Sequence, residues 1–146
     1  MELRIVRKKM PLKYKIIESK KLVYLKGIGT VSFSELMNHI DELCQNPKYK
    51  PPMKKLVDHR QIKKLDLTMK EQEHFAEKKA SFRKLFSGEK CAIVTPTDFV
   101  SALARVHSDL IEESNIDTSI FRNFNEALTW LEIELDDDEL IKGISL

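Results

Sequence analysis

The sequence predicts a single α/β domain built on a mixed β-sheet. Its 146 residues fit one ordinary domain, and its 42% hydrophobic and 33% charged content is that of a globular protein with a well-solvated surface. Runs typical of strands alternate with helical patterns after an initial hairpin, in the order β-β-α-β-α-β-α-β-α. That order implies an antiparallel N-terminal hairpin and parallel pairing of the remaining strands.

Two short β-prone runs begin the predicted domain. They are Tyr14 to Glu18 and Leu22 to Lys26, and a polar turn joins them as an antiparallel hairpin. Gly27 to Thr30 is expected to connect the hairpin to the first helix. Ser32 and Glu35 have the spacing of a capping box, and the apolar residues that follow recur at helical spacing on one face.

Strands and helices alternate through the middle of the chain. A short strand is expected from roughly Met53 to Asp58, and a polar crossover follows it. Thr68 then opens a long helix that runs to about Phe86, with Glu71 placed to complete a second capping box. The run Cys91 to Val94 is apolar without alternation, as expected for a strand covered on both faces.

The last third of the chain predicts two more helices and one more strand. A helix follows Asp98, Ser119 to Phe121 forms a short strand, and Asn123 with Glu126 caps a final helix. The inner face of the helix after Asp98 is expected to contain Val100, Leu103, Ala104, His107, Leu110 and Ile111. We expect residues 1–135 to form one domain and the acidic residues 136–146 to form a loosely held tail.

Charge, hydropathy and cysteine spacing narrow the classes of function. The net charge of +2 is small, no aromatic residue lies among Arg4 to Lys9, and no nucleic-acid motif follows, so no nucleic-acid partner is expected. No apolar run approaches the ~20 residues of a membrane-spanning helix. Cys44 and Cys91 stand far apart, which favours reduced thiols and a cytoplasmic location.

No group of residues in the sequence demands an enzyme, a metal or a nucleotide. His39, His59 and His74 fall on separate elements without metal-ligand spacing, so we expect no metal and no cofactor. Asp58 and His59 together can do acid–base work, but no nucleophile lies at a recognisable spacing. A polar loop at the carboxyl edge of the sheet is the simpler interpretation, and a non-enzymatic protein is expected.

Two stretches carry a resemblance to a known family. In the first, Leu56-Val57-Asp58 is followed by Asp66-Leu67-Thr68 at the head of the second helix. The second is the run from Ile120-Phe121-Arg122 to Glu126-Ala127-Leu128, with Trp130-Leu131 after it. Over about residues 12 to 133 the chain resembles the STAS-like family, the fold of the bacterial anti-sigma-factor antagonists. It is most similar there to a subgroup of small, mostly uncharacterised bacterial proteins.

The resemblance implies a regulatory or protein-interaction domain, switched by phosphorylation. Thr68 falls on the serine that is phosphorylated in the family, which makes Thr68 a candidate phosphoacceptor. From the residues alone, Thr68 is a helix N-cap paired with Glu71, worth about 1 kcal/mol. The residues expected to face a protein partner are Asp58, His59, Arg60, Asp66 and Glu71.

A carrier or sensor of a small apolar ligand or lipid is the competing function. Phe75, Phe82, Phe86, Met69 and Phe99 either line an apolar pocket between helices and sheet or simply form the core. The STAS-like fold is often compared with the CRAL-TRIO lipid carriers, which keeps this alternative open. The sequence also leaves the oligomeric state open, a homodimer included.

Overall fold

The chain folds into a five-stranded sheet with helices on both of its faces. The computed structural model describes residues 11–82, 86–98, 100, 102, 105 and 116–135. The strands are β1 (Leu12–Ile17), β2 (Leu22–Ser32), β3 (Lys54–Asp66), β4 (Lys90–Val94) and β5 (Asp117–Phe121). The helices are α1 (Phe33–Gln45), α2 (Met69–Ser81) and α3 (Phe124–Leu131), and one 3-10 turn, Glu18–Lys20, joins β1 to β2.

The strands follow each other across the sheet in chain order. β1 pairs with β2 antiparallel, and β2, β3, β4 and β5 pair in parallel, which confirms the predicted mixed α/β sheet. Most of the helix predicted after Asp98 lies outside the described residues, although Val100 is described and buried. The predicted tail, residues 136–146, also lies outside them, so the proposed division into domain and tail stays a prediction.

Local capping signals place the helix starts where the sequence predicts them. At α1, the Glu35 carboxylate accepts hydrogen bonds from the backbone N–H of Ser32 at 3.3 Å and from its hydroxyl at 2.6 Å. At α3, the Asn123 side-chain oxygen accepts from the Glu126 backbone N–H at 3.0 Å. Each contact satisfies polar groups that a helix start otherwise leaves unpaired.

Two strands are longer than the sequence suggests. β2 continues through Gly27 to Thr30, which were expected to lead into a helix, and β3 continues past Asp58 to Asp66. The predicted polar crossover is therefore wrong: its residues extend β3 and pair with the extension of β2. Because β4 pairs only with Lys55 to Asp58, the far half of β3 exposes many of its side chains and has a polar sequence.

Helix α2 is shorter than predicted and turns a different set of residues inward. It ends at Ser81, not near Phe86, and its buried positions are Gln72, Phe75, Ala76 and Lys79. These positions are three or four residues apart, as one face of a helix requires. Met69, which was expected on the apolar side, instead lies at the exposed start of the helix.

Alternation of side chains along the strands divides the interior into two layers. One layer contains α1 and α2 with residues such as Leu25, Val57 and Ile93. The other contains α3 with residues such as Leu22 and Leu56. In β3, neighbouring residues thus face different helices. Within the described ranges no helix is both long and apolar enough to cross a membrane.

Candidate functional site: strand β3 and the start of helix α2

The six residues predicted to form a functional site lie in three different places. Asp58 and Arg60 belong to the α3 side of β3, and His59 is buried on the opposite side. The remaining residues, Asp66, Thr68 and Glu71, surround the exposed start of α2. Because successive side chains of a strand point to opposite faces, Asp58 and His59 cannot share one surface or act as an acid–base pair.

Asp58 is the centre of a buried hydrogen-bond network. Its side chain is 3% exposed, and it accepts from the Tyr24 hydroxyl at 2.6 Å. Arg60 donates to the same carboxylate three times, from Nε at 2.9 Å, from Nη2 at 2.8 Å and from its backbone N–H at 3.1 Å. The guanidinium carbon also lies 3.9 Å from the centre of the Phe124 ring on α3.

The network determines the charge of Asp58. Burial alone would raise the pKa of this carboxyl, but the hydrogen bonds from Arg60 and Tyr24 outweigh burial and lower it. The pKa of Tyr24 is raised by burial and by its bond to Asp58, so its hydroxyl keeps its proton. With four donors, the Asp58 carboxylate joins β2 and β3 and, through Arg60, α3. The side chain is buried and therefore does not contact a partner at the surface.

His59 is also enclosed, on the other side of the sheet. It is 6% exposed, and burial lowers its pKa to about 4, with only partial opposition from the charge of Asp58. Its Nδ1 has no hydrogen-bond partner among the described residues. A Cβ atom added to Gly27 would lie 2.6 Å from this nitrogen, so β2 needs a glycine opposite His59.

The exposed residues of the predicted site surround the first turn of α2. Thr68 caps the helix: its hydroxyl accepts from the Glu71 N–H at 3.1 Å, and its own N–H donates to the Glu71 carboxylate at 2.9 Å. The Asp66 carboxylate lies 3.8 Å from the Lys64 ammonium, with both side chains exposed. We call Asp66, Thr68, Met69 and Glu71 the α2 N-terminal surface.

A cavity of about 60 Å³ lies between the sheet and helices α1 and α2. Its wall is mostly apolar and includes Leu65, Leu67 and Phe75. The wall also contains a group of polar side chains, of which the sequence analysis selected only His59 as a site residue: His39, Lys55, His59, Gln72, Lys79 and Cys91. In the described part of the chain, no cluster of histidine, cysteine and acidic residues could hold a metal ion.

Two spacing patterns in the sequence indicate these polar wall residues. Gln72 and Lys79 occur at helical spacing with Phe75 and Ala76, and Lys55 and His59 alternate with Leu56 and Asp58 along β3. Of the aromatic residues proposed for an apolar pocket, Phe75 lines this cavity. Phe82 and Phe86 lie in the core with ring centres 6.1 Å apart, and Phe99 lies outside the described residues.

The charged groups beside the cavity are deeply buried. Burial lowers the pKa of Lys55 to about 8, and the positive charge of Lys79 contributes to that change. Burial also lowers the pKa of Lys79, and burial with both lysine charges lowers that of His39. Glu89 is the nearby acid: burial raises its pKa, while hydrogen bonds from the Tyr49 hydroxyl and the Met53 N–H oppose the rise.

Comparison with known proteins bears on the fold. No protein-family model and no curated protein matches the chain. Among solved structures it is similar to an uncharacterised DUF3478-family protein with a SpoIIAA-like fold from Shewanella loihica PV-4. The TM-score is 0.53 at 17% identity, with 82% of this chain and 91% of that chain covered. An antiparallel hairpin followed by parallel strands agrees with the likeness. The chain therefore has a SpoIIAA-like, or STAS-like, fold.

Proposed function

We propose that the chain is a non-enzymatic regulatory domain that binds a protein partner through the α2 N-terminal surface. The exposure of Met69 is the observation that carries this proposal. In the part of the chain that the structure describes, Met69 is the one large hydrophobic side chain that is exposed, at 59%. Methionine adapts its shape to a partner, and an exposed apolar residue with a polar rim is the composition of an interface core.

The charges around Met69 suit a selective contact. Asp66 is exposed and Glu71 is half-buried, and the exposed lysines Lys64 and Lys70 lie beside them, so the rim of the surface carries charges of both signs. A partner with charges complementary to this mixed rim would pair with Asp66 and the two lysines while Met69 supplies the apolar contact. Rim charges of this kind mainly increase the rate and selectivity of association.

Thr68 is proposed as the switch of this surface. It is exposed and directly precedes Met69, so a modification there changes the environment of the apolar contact. A phosphate adds about −1.5 to −2 charges. The start of α2 attracts that charge, whereas Asp66 and Glu71 repel it. Mass spectrometry of the protein from its native cells tests the switch, and consistently unmodified Thr68 would remove it while leaving the binding proposal intact.

The binding proposal is tested by introducing one negative charge either at the proposed surface or away from it. Met69→Asp should weaken the binding of a captured and purified partner by about 2 kcal/mol, or roughly thirtyfold in Kd. Asn125→Asp, at an exposed position of α3, is the matched control and should leave the affinity unchanged. Isothermal titration with the purified partner measures both values. Equal affinities for the two variants would contradict the proposed surface.

A carrier of a lipid or another large apolar ligand receives less support from the structure. The cavity of about 60 Å³ is well below the roughly 150 Å³ of an engineered apolar cavity that binds benzene. Two buried lysines and two buried histidines in its wall also disfavour an uncharged occupant. We therefore place this alternative second.

A further inference from the structure

The side chain of Lys55 places a primary amine in the interior of the molecule. Lys55 lies on β3 and is 7% exposed, and it forms part of the wall of the cavity between the sheet and helices α1 and α2. Its side chain donates no hydrogen bond to another of the described residues, and the charge of the nearby Glu89 affects its pKa less than burial does. A buried ammonium group without a close counterion is costly, so the charged form of Lys55 is disfavoured.

The surroundings of Lys55 favour its nucleophilic form. Burial lowers the pKa of Lys55 to about 8, and the charge of Lys79 acts in the same direction, while Glu89, Cys91 and Cys44 oppose the change without reversing it. At pH 7 such an amine is neutral roughly two to three hundred times more often than a lysine of ordinary pKa. Desolvation in an apolar site, or a second cation nearby, is the general means by which proteins activate a lysine towards carbonyl compounds.

Two buried imidazole nitrogens of the same cavity wall lack a partner. His39 Nε2 and His59 Nδ1 make no hydrogen bond within the described residues, and the two residues are only 4% and 6% exposed. Buried polar atoms are nearly always paired. His39 lies close enough to Lys55 that the positive charge of Lys55 contributes to its lowered pKa, after burial. A polar group that forms beside the Lys55 amine can therefore pair with His39.

The size and the wall of the cavity restrict its occupant. At 10–15 Å³ for each water-sized position, about 60 Å³ holds roughly four to six such positions. Much of the wall is apolar and includes Val57, Phe75 and Ile93. A molecule with a short hydrocarbon chain and one group that reacts with an amine matches both the volume and the wall.

We propose that Lys55 is a covalent binding site for a short aliphatic aldehyde of about the size of propanal, which it holds as an imine. The neutral amine adds to the carbonyl carbon and gives a carbinolamine. His39 Nε2 accepts a proton from the nitrogen and returns it to the hydroxyl group. The C–O bond then breaks, and the oxygen leaves as water with both hydrogens of the amine.

The product of this reaction suits the interior better than the free lysine does. The C=N group is neutral, so its formation removes the buried charge of Lys55, while the hydrocarbon chain lies against the apolar wall. The polar wall that disfavours an inert apolar occupant thus favours one that reacts with Lys55. The site is separate from the α2 N-terminal surface, so this proposal does not depend on the proposed function.

The first test labels the full-length protein with propanal and sodium cyanoborohydride at pH 7 in a buffer free of amines. The reductant supplies the hydride that converts an imine to a stable propylamine, and peptide mass spectrometry measures the rate at each lysine. We expect Lys55 to be labelled at least about tenfold faster than Lys63, an exposed lysine of the same strand. Octanal exceeds the cavity and should show no such preference. A rate at Lys55 no higher than at Lys63 with propanal, or the same preference with octanal, would overturn the proposal.

Variants locate the reacting amine and test the role of His39. Lys55→Arg retains the positive charge but forms no imine, so the protein should lose the fast internal labelling that Lys63→Arg retains. His39→Gln should slow labelling of Lys55 at least about fivefold and leave that of Lys63 unchanged. Circular dichroism shows whether each variant is folded, and if one is not, the rates in the unaltered protein decide. Fast internal labelling in folded Lys55→Arg would refute the site, and an unchanged rate in folded His39→Gln would refute the role of His39.

Discussion

Truncation of Asp58 should destabilise the protein far more than truncation of Asp66, although both are aspartates of β3. Asp58→Ala leaves the Tyr24 hydroxyl, in a residue 3% exposed, without its acceptor, which costs about 1–3 kcal/mol. It also removes the partner of Arg60. Loss of one partner of a buried ion pair costs about 3–5 kcal/mol, but the Arg60 side chain is 47% exposed and can turn to water. We therefore expect the lower limit, about 3 kcal/mol.

Urea denaturation followed by circular dichroism measures this difference. With a typical slope of roughly 2 kcal/mol per molar, Asp58→Ala should lower the urea midpoint by about 1.5 M. Asp66→Ala is the control, and it should change the unfolding free energy by less than about 0.5 kcal/mol because its contact with Lys64 is exposed and 3.8 Å long. A cost below about 1 kcal/mol for Asp58→Ala would refute the reasoning.

A double-mutant cycle with Tyr24→Phe separates the hydroxyl from the rest of the network. Alone, Tyr24→Phe should cost about 1–1.5 kcal/mol, since the hydrogen bond to Asp58 is lost. In the Asp58→Ala background the same change should cost nothing or stabilise, because the hydroxyl is already unpaired. Additive effects would contradict the bond of 2.6 Å between the two groups.

Three further changes test other parts of the structure. Gly27→Ala should destabilise by about 1–3 kcal/mol in urea denaturation, because its Cβ would lie 2.6 Å from His59 Nδ1. Thr68→Ala should cost about 1 kcal/mol and Thr68→Ser much less, by the same measurement. Burial lowers the pKa of His59 in the folded protein from 6.5 to about 4, so as the pH falls the unfolded chain takes up a proton before the folded one does. The contribution of His59 to the free energy of unfolding is therefore fully present above pH 6.5 and is lost as the pH falls towards 4. The loss is roughly 3 kcal/mol, and His59→Gln should flatten this part of the stability–pH profile.

The sequence predicted the helix starts and the order of the elements because those features have local causes. Ser32 with Glu35, Thr68 with Glu71 and Asn123 with Glu126 each satisfy the first turn of a helix within four residues of chain. No partner from another element is needed. The same holds for the uninterrupted apolar strand Cys91 to Val94.

The length of β3 and the polar cavity wall could not be predicted in this way, because both depend on distant neighbours. The residues after Asp58 look like a loop when β2 is not known to continue beside them. Lys55 and Lys79 look like solvated lysines until β3 and α2 come together around one cavity. Adjacency in sequence suggests that Asp58 and His59 act together, because it does not show that β3 directs their side chains to opposite faces of the sheet.

One short segment joins the interior to the exterior of this molecule. Leu65 and Leu67 form part of the cavity wall, while Asp66 and Thr68, which alternate with them, face the solvent. A change in the packing of Leu65 and Leu67 therefore moves the backbone that carries Asp66 and Thr68. Thermodynamic reciprocity requires that a partner bound at the α2 N-terminal surface alters the free energy of such a change by the same amount as the change alters the free energy of partner binding.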